Sequence, residues 1–179
     1  MSKLYVYKPL DLGFIILCHD GTASRLWNTI SSIQVHYPNC PCICATGEST
    51  TEEELKTMQK KCVTRMGKNT ITSLINAGMK SAPASWNFIV IAGSYVRGHL
   101  DQKFSYFVEE EKDVLFPIVD KKMNFVDGTI NGILMHKKTF KEVGEMGEYE
   151  SLELCKLEWA VRAIENGCRF KAIAGTKIC

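Results

Sequence analysis

Cysteine is the residue whose number and spacing first invite a chemical reading of this chain. Eight occur in 179 residues, and Cys40, Cys42 and Cys44 alternate in NCPCICAT. A disulfide framework and a zinc site are the two chemistries such a count can serve. Zinc sites usually pair cysteines as Cys-x-x-Cys with a second pair or histidines downstream, whereas Cys-x-Cys-x-Cys points successive thiols to one face of a strand. The other cysteines, at 18, 62, 155, 168 and 179, supply no second knuckle. The pattern reads as buried free thiols acting as small apolar residues, which implies a reducing compartment. A phosphate-cradling glycine loop is also missing after the first apolar run, which ends in His19-Asp20-Gly21. The simplest role of His19 and Asp20 is a turn whose geometry Asp20-Gly21 fixes.

Bulk properties narrow the partners. With 22 basic against 20 acidic residues the formal charge is +2, which gives no electrostatic reason to expect nucleic acid or an anionic membrane. No run reaches the roughly 18 to 20 apolar residues of a membrane span. The N-terminal MSKLYVYKPLDLGFIILCHD has Asp11 before its apolar segment and no small-residue cleavage site after it, so it reads as a first strand and not as a leader. The expectation is a cytoplasmic protein, with residues 1–179 forming a single domain around one sizeable core.

The elements that must position any site follow from the apolar pattern. WNFIVIAGSYVRG, from Trp86 to Gly98, organises the rest. Phe88 to Ile91 is an unbroken, β-branched apolar run, too short for an ordinary helix, so it reads as a strand buried on both faces in mid-sheet. Such strands belong to mostly parallel sheets flanked by helices, where ligands bind beyond the carboxyl ends. The loop from Gly93 to Gly98 is thus the expected site.

Around it, Phe14 to Cys18 forms strand one, and Leu26, Ile30 and Ile33 recur at helical spacing behind a cap at Thr22 or Ser24. Pro41 to Ala45 is strand two. Ser49, Thr50 or Thr51 caps a helix whose first turn holds Glu52, Glu53 and Glu54, and which ends near Cys62. A helix over Lys68 to Ala82, with Thr70 as cap, leads to the central strand. Beyond it come a short helix within Asp101 to Glu111 and a strand over Val114 to Val119, where Pro117 suggests an edge or bulge. A turn at Asp127-Gly128 precedes a strand over Ile130 to Met135. A helix over Lys138 to Val143, a long amphipathic helix over Tyr149 to Asn166 and a last strand over Phe170 to Ile173 complete the order.

This order, with FIILCHDGTASRLWNTISSIQ, CICATGEST, Asn76-Ala77-Gly78, Asn131-Gly132-Ile133-Leu134-Met135 and Glu150-Ser151-Leu152-Glu153-Leu154, resembles family 2 glycosyltransferases across nearly the whole chain. The resemblance implies a GT-A-like fold, an α/β/α sandwich with a mostly parallel central sheet. It also implies a UDP- or GDP-linked sugar as donor and a glycan or other hydroxyl as acceptor. In metal-dependent members Mn2+ or Mg2+ bridges the donor phosphates, which requires oxygen ligands. Here the chain departs from the pattern. Where the family has an acid for the nucleobase stand Thr46 and Gly47, with Glu48 slightly late; where Asp-x-Asp should end the central strand stand Ala92-Gly93-Ser94; where the general base is expected stands Ser151.

The resemblance therefore assigns His19, Asp20, Glu48, Lys68 and Ser94 to nucleotide binding, and Glu150 and Glu153 to proton abstraction from the acceptor. These two glutamates share a helix face if the helix has begun by then, and dipole stabilisation of a first turn explains them equally well. His99 and Asp101 could replace the missing metal ligands, and Lys68 or Arg97 could replace the metal itself. The expectation is a small transferase with weak or absent metal dependence, or a GT-A-like module that binds without catalysis. Its acceptor pocket would be shallow or completed by another subunit of a homo-oligomer.

Overall fold

The computed structural model describes residues 9–19, 25–60, 62–118, 124–126, 128–174 and 178. Strands β1 (Leu12–Cys18), β2 (Cys42–Gly47), β3 (Val63–Gly67), β4 (Trp86–Ile91), β5 (Asp113–Pro117), β6 (Ile133–His136) and β7 (Arg169–Ile173) form one sheet in the order β3-β2-β1-β4-β6-β5-β7. The ladders β1–β2, β1–β4, β2–β3 and β5–β7 are parallel, and only β6 runs against its neighbours. The helices are α1 (Leu26–His36), α2 (Glu52–Gln59), α3 (Ile71–Lys80), α4 (Leu100–Ser105), α5 (Lys137–Val143) and α6 (Leu152–Glu165).

Alternation along the strands divides the core in two. Leu12, Phe14, Ile16 and Cys18 of β1 and Trp86, Phe88 and Val90 of β4 face α1, α2 and α4. Ile15, Leu17 and Ile89 face α3, α5 and α6. On the first face Phe88 stacks on Phe14 at 5.7 Å and meets Phe104 edge-on at 4.8 Å. On the second, Trp159 is fully buried among Phe125, Phe140 and Phe170 and donates from Nε1 to the Gly144 carbonyl. Each such large apolar side chain contributes roughly 1.5–3 kcal/mol on burial. β4, covered on both faces and fourth of seven strands, is the middle of the molecule as its composition requires.

Local chemistry sets the helix starts. Thr51 caps α2 in a reciprocal box with Glu54, Thr70 caps α3 through Ser73 N, and Ser151 caps α6 through Leu154 N. Gly144, at φ 89°, ends α5. Arg25 occupies the N-cap of α1 without a side-chain cap; Thr22 and Ser24, like Asp127, lie outside the described residues.

Several boundaries differ from the sequence reading. β3 was not anticipated: VTRMG has no continuous apolar run, because an edge strand leaves Val63 and Met66 about half exposed. Nor is β5 an edge, since it lies between β6 and β7. Its ladder with β6 stops at Leu115, so Pro117 sits past the last bond on that side and its missing N–H costs none. α2 ends at Gln59, and β6 begins only at Ile133, Ile130 being buried in the preceding turn.

Candidate functional site at the carboxyl edge of the sheet

The parallel register brings the ends of β1, β2, β3 and β4 level: Cys18 pairs with Thr46, Gly47 with Gly67, and Leu17 with Ile91. His19, Glu48, Lys68 and Ala92 therefore follow one another along a single rim. Asn69 ties this rim together. Its carbonyl lies 3.1 Å from His19 Nε2, and its side-chain Oδ1 accepts from Ser49 N at 3.2 Å and Ser49 Oγ at 3.0 Å. A Cβ on Gly47 would stand 1.9 Å from that Oδ1, so glycine is what lets β2 pass Asn69. Asn69 was not among the residues singled out from the sequence; its only signal was its place just before the Thr70 cap.

Lys68 donates from Nζ to Glu148 at 2.9 Å, and its backbone N–H donates to Ser73 Oγ. The bond to Glu148 is the main reason the Lys68 ammonium is held above the usual lysine range, with Glu48 adding a smaller contribution. Glu48, Lys68 and Glu148 thus form an exposed acid-base-acid group over the ends of β2 and β3. Glu148 reaches it because residues 145–148 run back along α3. Lys80 pairs with Glu145, and the buried Asn76 side chain both donates to Met146 O (2.9 Å) and accepts from Met146 N (3.0 Å). Glu150 lies two residues beyond Glu148 and is exposed. α6 begins only at Leu152, so Glu150 precedes the helix and the expected shared helical face with Glu153 does not exist. Glu153 is exposed in the first turn, where the helix dipole favours it.

At the tip of β4 the backbone turns sharply, with Gly93 at φ 99°. A Cβ there would meet Arg25 Cδ at 2.9 Å, because the stem of Arg25 lies across the glycine. Arg25 itself is exposed and makes no ion pair among the described residues, which places a cation beside Gly93 that the sequence reading passed over. Thr29 braces the turn, accepting from Gly93 N and donating to the Ser94 carbonyl at 2.8 Å. Ser94 is 7% exposed, and its hydroxyl accepts from Asn131 Nδ2 at 2.8 Å while Asn131 Oδ1 accepts from Ile91 N at 3.0 Å. Ser94 is therefore a bound, buried end to the strand.

The segment after Ser94 leaves the edge, contrary to the expectation that residues 93–98 line the site. It descends along α1: Val96 N donates to Ser32 Oγ, Gly98 packs on His36, and Leu100 N donates to Tyr37 Oη. Asp101 accepts from that same Tyr37 hydroxyl, and burial pushes the Tyr37 phenol up to about 12. Tyr37 follows the end of α1 and packs with its ring tilted against Phe14 near the start of β1, so His99 and Asp101 belong to the amino side of the sheet and cannot supply ligands at its carboxyl edge. Arg97 is exposed on the descending stretch. Asp20 lies outside the described residues.

No protein-family model matches the chain, and no curated protein matches it in sequence. Among solved structures the chain is similar to the mannosyltransferase PcManGT from Pyrobaculum calidifontis, in complex with GDP-Man and Mn2+. The TM-score is 0.67 at 10% identity, covering 99% of this chain and 59% of that one. S. aureus TarS, residues 1-349, gives a TM-score of 0.64 at 13% identity over 93% of this chain and 59% of its own. A further S. aureus TarS structure gives 0.59 at 13% identity, over 92% and 35%. The fold is GT-A-like. At such identities the likeness carries the fold alone, and the chain spans about three fifths of the length of the first two structures.

The Mn2+ of PcManGT poses a test for the β4 tip. Ala92, Gly93 and Ser94 offer a single hydroxyl there, already bound to Asn131 and with no carboxylate beside it. Among the described residues no group of three His, Cys, Asp or Glu side chains is disposed to hold a metal ion. This donor set does not fit a hard divalent cation, which takes several oxygen ligands. No helix among the described residues is long and apolar enough to cross a membrane.

Proposed function

We propose that this GT-A-like chain binds a nucleotide sugar, UDP- or GDP-linked, along the rim of His19, Glu48, Lys68 and Ser94, and transfers the sugar to a hydroxyl of a glycan or other acceptor. The observation that carries the reading is the gathering of polar and charged groups from four strand ends at the carboxyl edge of a mostly parallel sheet, where ligands of such sheets bind. A sugar diphosphate brings clustered negative charge. Arg25 beside Gly93 and Lys68 beside Glu148 stand at the two flanks of that edge, and guanidinium and ammonium groups neutralise a departing diphosphate by charge-assisted hydrogen bonds. Glu150, outside the helix and free of its first-turn role, is the acid assigned to take the proton of the attacking hydroxyl; Glu153 has a structural reason to be where it is.

A second reading, a module that binds the nucleotide sugar or a glycan without turning it over, is favoured by the tied Ser94 hydroxyl and the lack of any acid at the β4 tip. Single-turnover hydrolysis of UDP- and GDP-sugars separates the two. If the chain is a transferase, Glu150→Gln lowers the rate by about 100-fold or more while nucleotide affinity holds, and Glu153→Gln changes it little. Tight binding with no turnover in either protein would establish the second reading.

A further inference from the structure

Three thiols stand in series on the α1 face of the sheet. Cys18 closes β1 and Cys44 lies in β2, on the same face and diagonal to it, with the two Sγ atoms 3.1 Å apart. A disulfide needs about 2.05 Å, so a shift on the order of 1 Å joins them. On the other side of Cys44, β3 pairs Thr64 with Cys44, so Cys62, two residues earlier, lies diagonal to Cys44 on the same face of the sheet, and its thiol donates to the Met58 carbonyl at 3.7 Å. Cys18 and Cys44 are buried, at 3% and 0% exposure. Cys62 is half-buried and opens onto a depression of about 470 Å³ that Lys60 and Arg65 also line.

These surroundings divide the roles. A half-buried thiol that opens onto a surface depression, with two buried thiols behind it, is the one of the three that an oxidant can reach. The neighbouring Cys44 thiol pulls the Cys62 thiol down, whereas the contact with Cys18 at 3.1 Å and burial push Cys44 up. Cys62, the accessible member, is thus the more readily ionised thiol and the buried Cys44 the less.

We propose that Cys62 is a site of oxidative modification, attacked first by peroxide and then resolved by Cys44 into a buried disulfide that passes on to Cys18. In the first step the Cys62 thiolate attacks one peroxide oxygen, the O–O bond breaks, and hydroxide leaves and takes up a proton as water. Sulfur is oxidised by two electrons to the sulfenic acid. Next the Cys44 sulfur attacks the sulfenyl sulfur, the S–O bond breaks, and the hydroxyl leaves as a second water with the Cys44 proton. Finally the Cys18 sulfur attacks Cys44, the Cys44–Cys62 bond breaks, and Cys62 leaves and takes up the proton lost by Cys18, giving a Cys18–Cys44 disulfide and the Cys62 thiol. Two thiols and one peroxide give one disulfide and two waters. The relay ends one residue short of His19 on the rim.

The test uses the reduced full chain, equimolar hydrogen peroxide and mass spectrometry. Expected is a loss of about 2 Da, with mapped peptides linking Cys44 to Cys62 at early times and to Cys18 later. Cys62→Ser should slow disulfide formation by about 10-fold or more. In Cys44→Ala, a sulfenic-acid trap should label Cys62. Brief alkylation of the native wild-type protein, which involves no substitution, should modify Cys62 before any other cysteine. Preferential alkylation elsewhere, an unchanged rate in Cys62→Ser, or a disulfide that omits Cys44 would each overturn the proposal.

Discussion

Replacing Asn76 by leucine isolates the contact that holds the segment carrying Glu148 against α3. Asn76 is 7% exposed and exchanges two hydrogen bonds with the backbone of Met146, itself 2% exposed, at 2.9 and 3.0 Å. Each bond contributes about 1 kcal/mol net, and leaving the Met146 N–H and carbonyl buried without partners adds about another 1 kcal/mol or more. The better helix propensity of leucine returns only a few tenths of a kcal/mol. Asn76→Leu should therefore lose about 3 kcal/mol in urea unfolding with an unchanged slope, and about 9 °C in Tm for a chain of this length.

Asn76→Asp sharpens the test. One carboxylate oxygen still accepts from Met146 N–H, but the other faces the Met146 carbonyl, so burial and that carbonyl raise the folded-state pKa above the usual value of about 3.9. Protonation restores a donor. The neutral acid's contribution is complete below the unfolded pKa and is lost as pH rises through the folded one, so the deficit against wild type should shrink toward about pH 4 and grow toward neutrality. A loss below about 0.5 kcal/mol in Asn76→Leu, or a deficit in Asn76→Asp that does not depend on pH, would refute the reasoning.

Asp113, whose side chain is buried at the start of β5, accepts from Glu109 N, Glu110 N, Arg169 and Lys171. Burial pushes its carboxyl up, but the two backbone donors and Lys171 more than offset this and leave it below the usual range. Its contribution is present above the unfolded pKa and lost as pH falls through the folded one, so Asp113→Asn should cost about 2 kcal/mol near neutrality and progressively less in acid, by urea unfolding at several pH values. Thr51→Ala removes the N-cap of α2 and should cost about 1 kcal/mol in the same assay. Gly93→Val forces a β-branched residue to φ 99° against the Arg25 stem, and should weaken nucleotide affinity more than Tm.

Much of this architecture was legible in the residues. Phe88 to Ile91 and Phe14 to Cys18 read as doubly covered strands, and Thr51 and Thr70 announce helices through hydroxyls aimed at orphan amides, whereas the Ser151 cap was missed and its helix begins at Leu152 and not at Tyr149. What escaped was set by tertiary context. β3 is held by pairing with β2, and its exposed Val63 and Met66 break any apolar periodicity. The path from Val96 to Leu100 is dictated by Ser32 and Tyr37, residues more than sixty positions upstream. Of the candidate site, the ends of β1, β2 and β4 were legible as strand ends but not their order in the sheet, and Asn69, Asn131, Arg25 and Glu148 act through contacts with distant segments and share no spacing that marks them.

The central claim is that a nucleotide sugar sits on the carboxyl edge between β2 and β4. It is tested most directly by following backbone amide shifts of the 15N-labelled full chain during titration with UDP, GDP and their sugars. Saturable shifts concentrated at His19, Glu48, Ser49, Lys68, Asn69, Gly93 and Ser94 are expected. No shift at these residues with nucleotide up to about 1 mM, or shifts confined to the amino side near Tyr37 and Asp101, would contradict it.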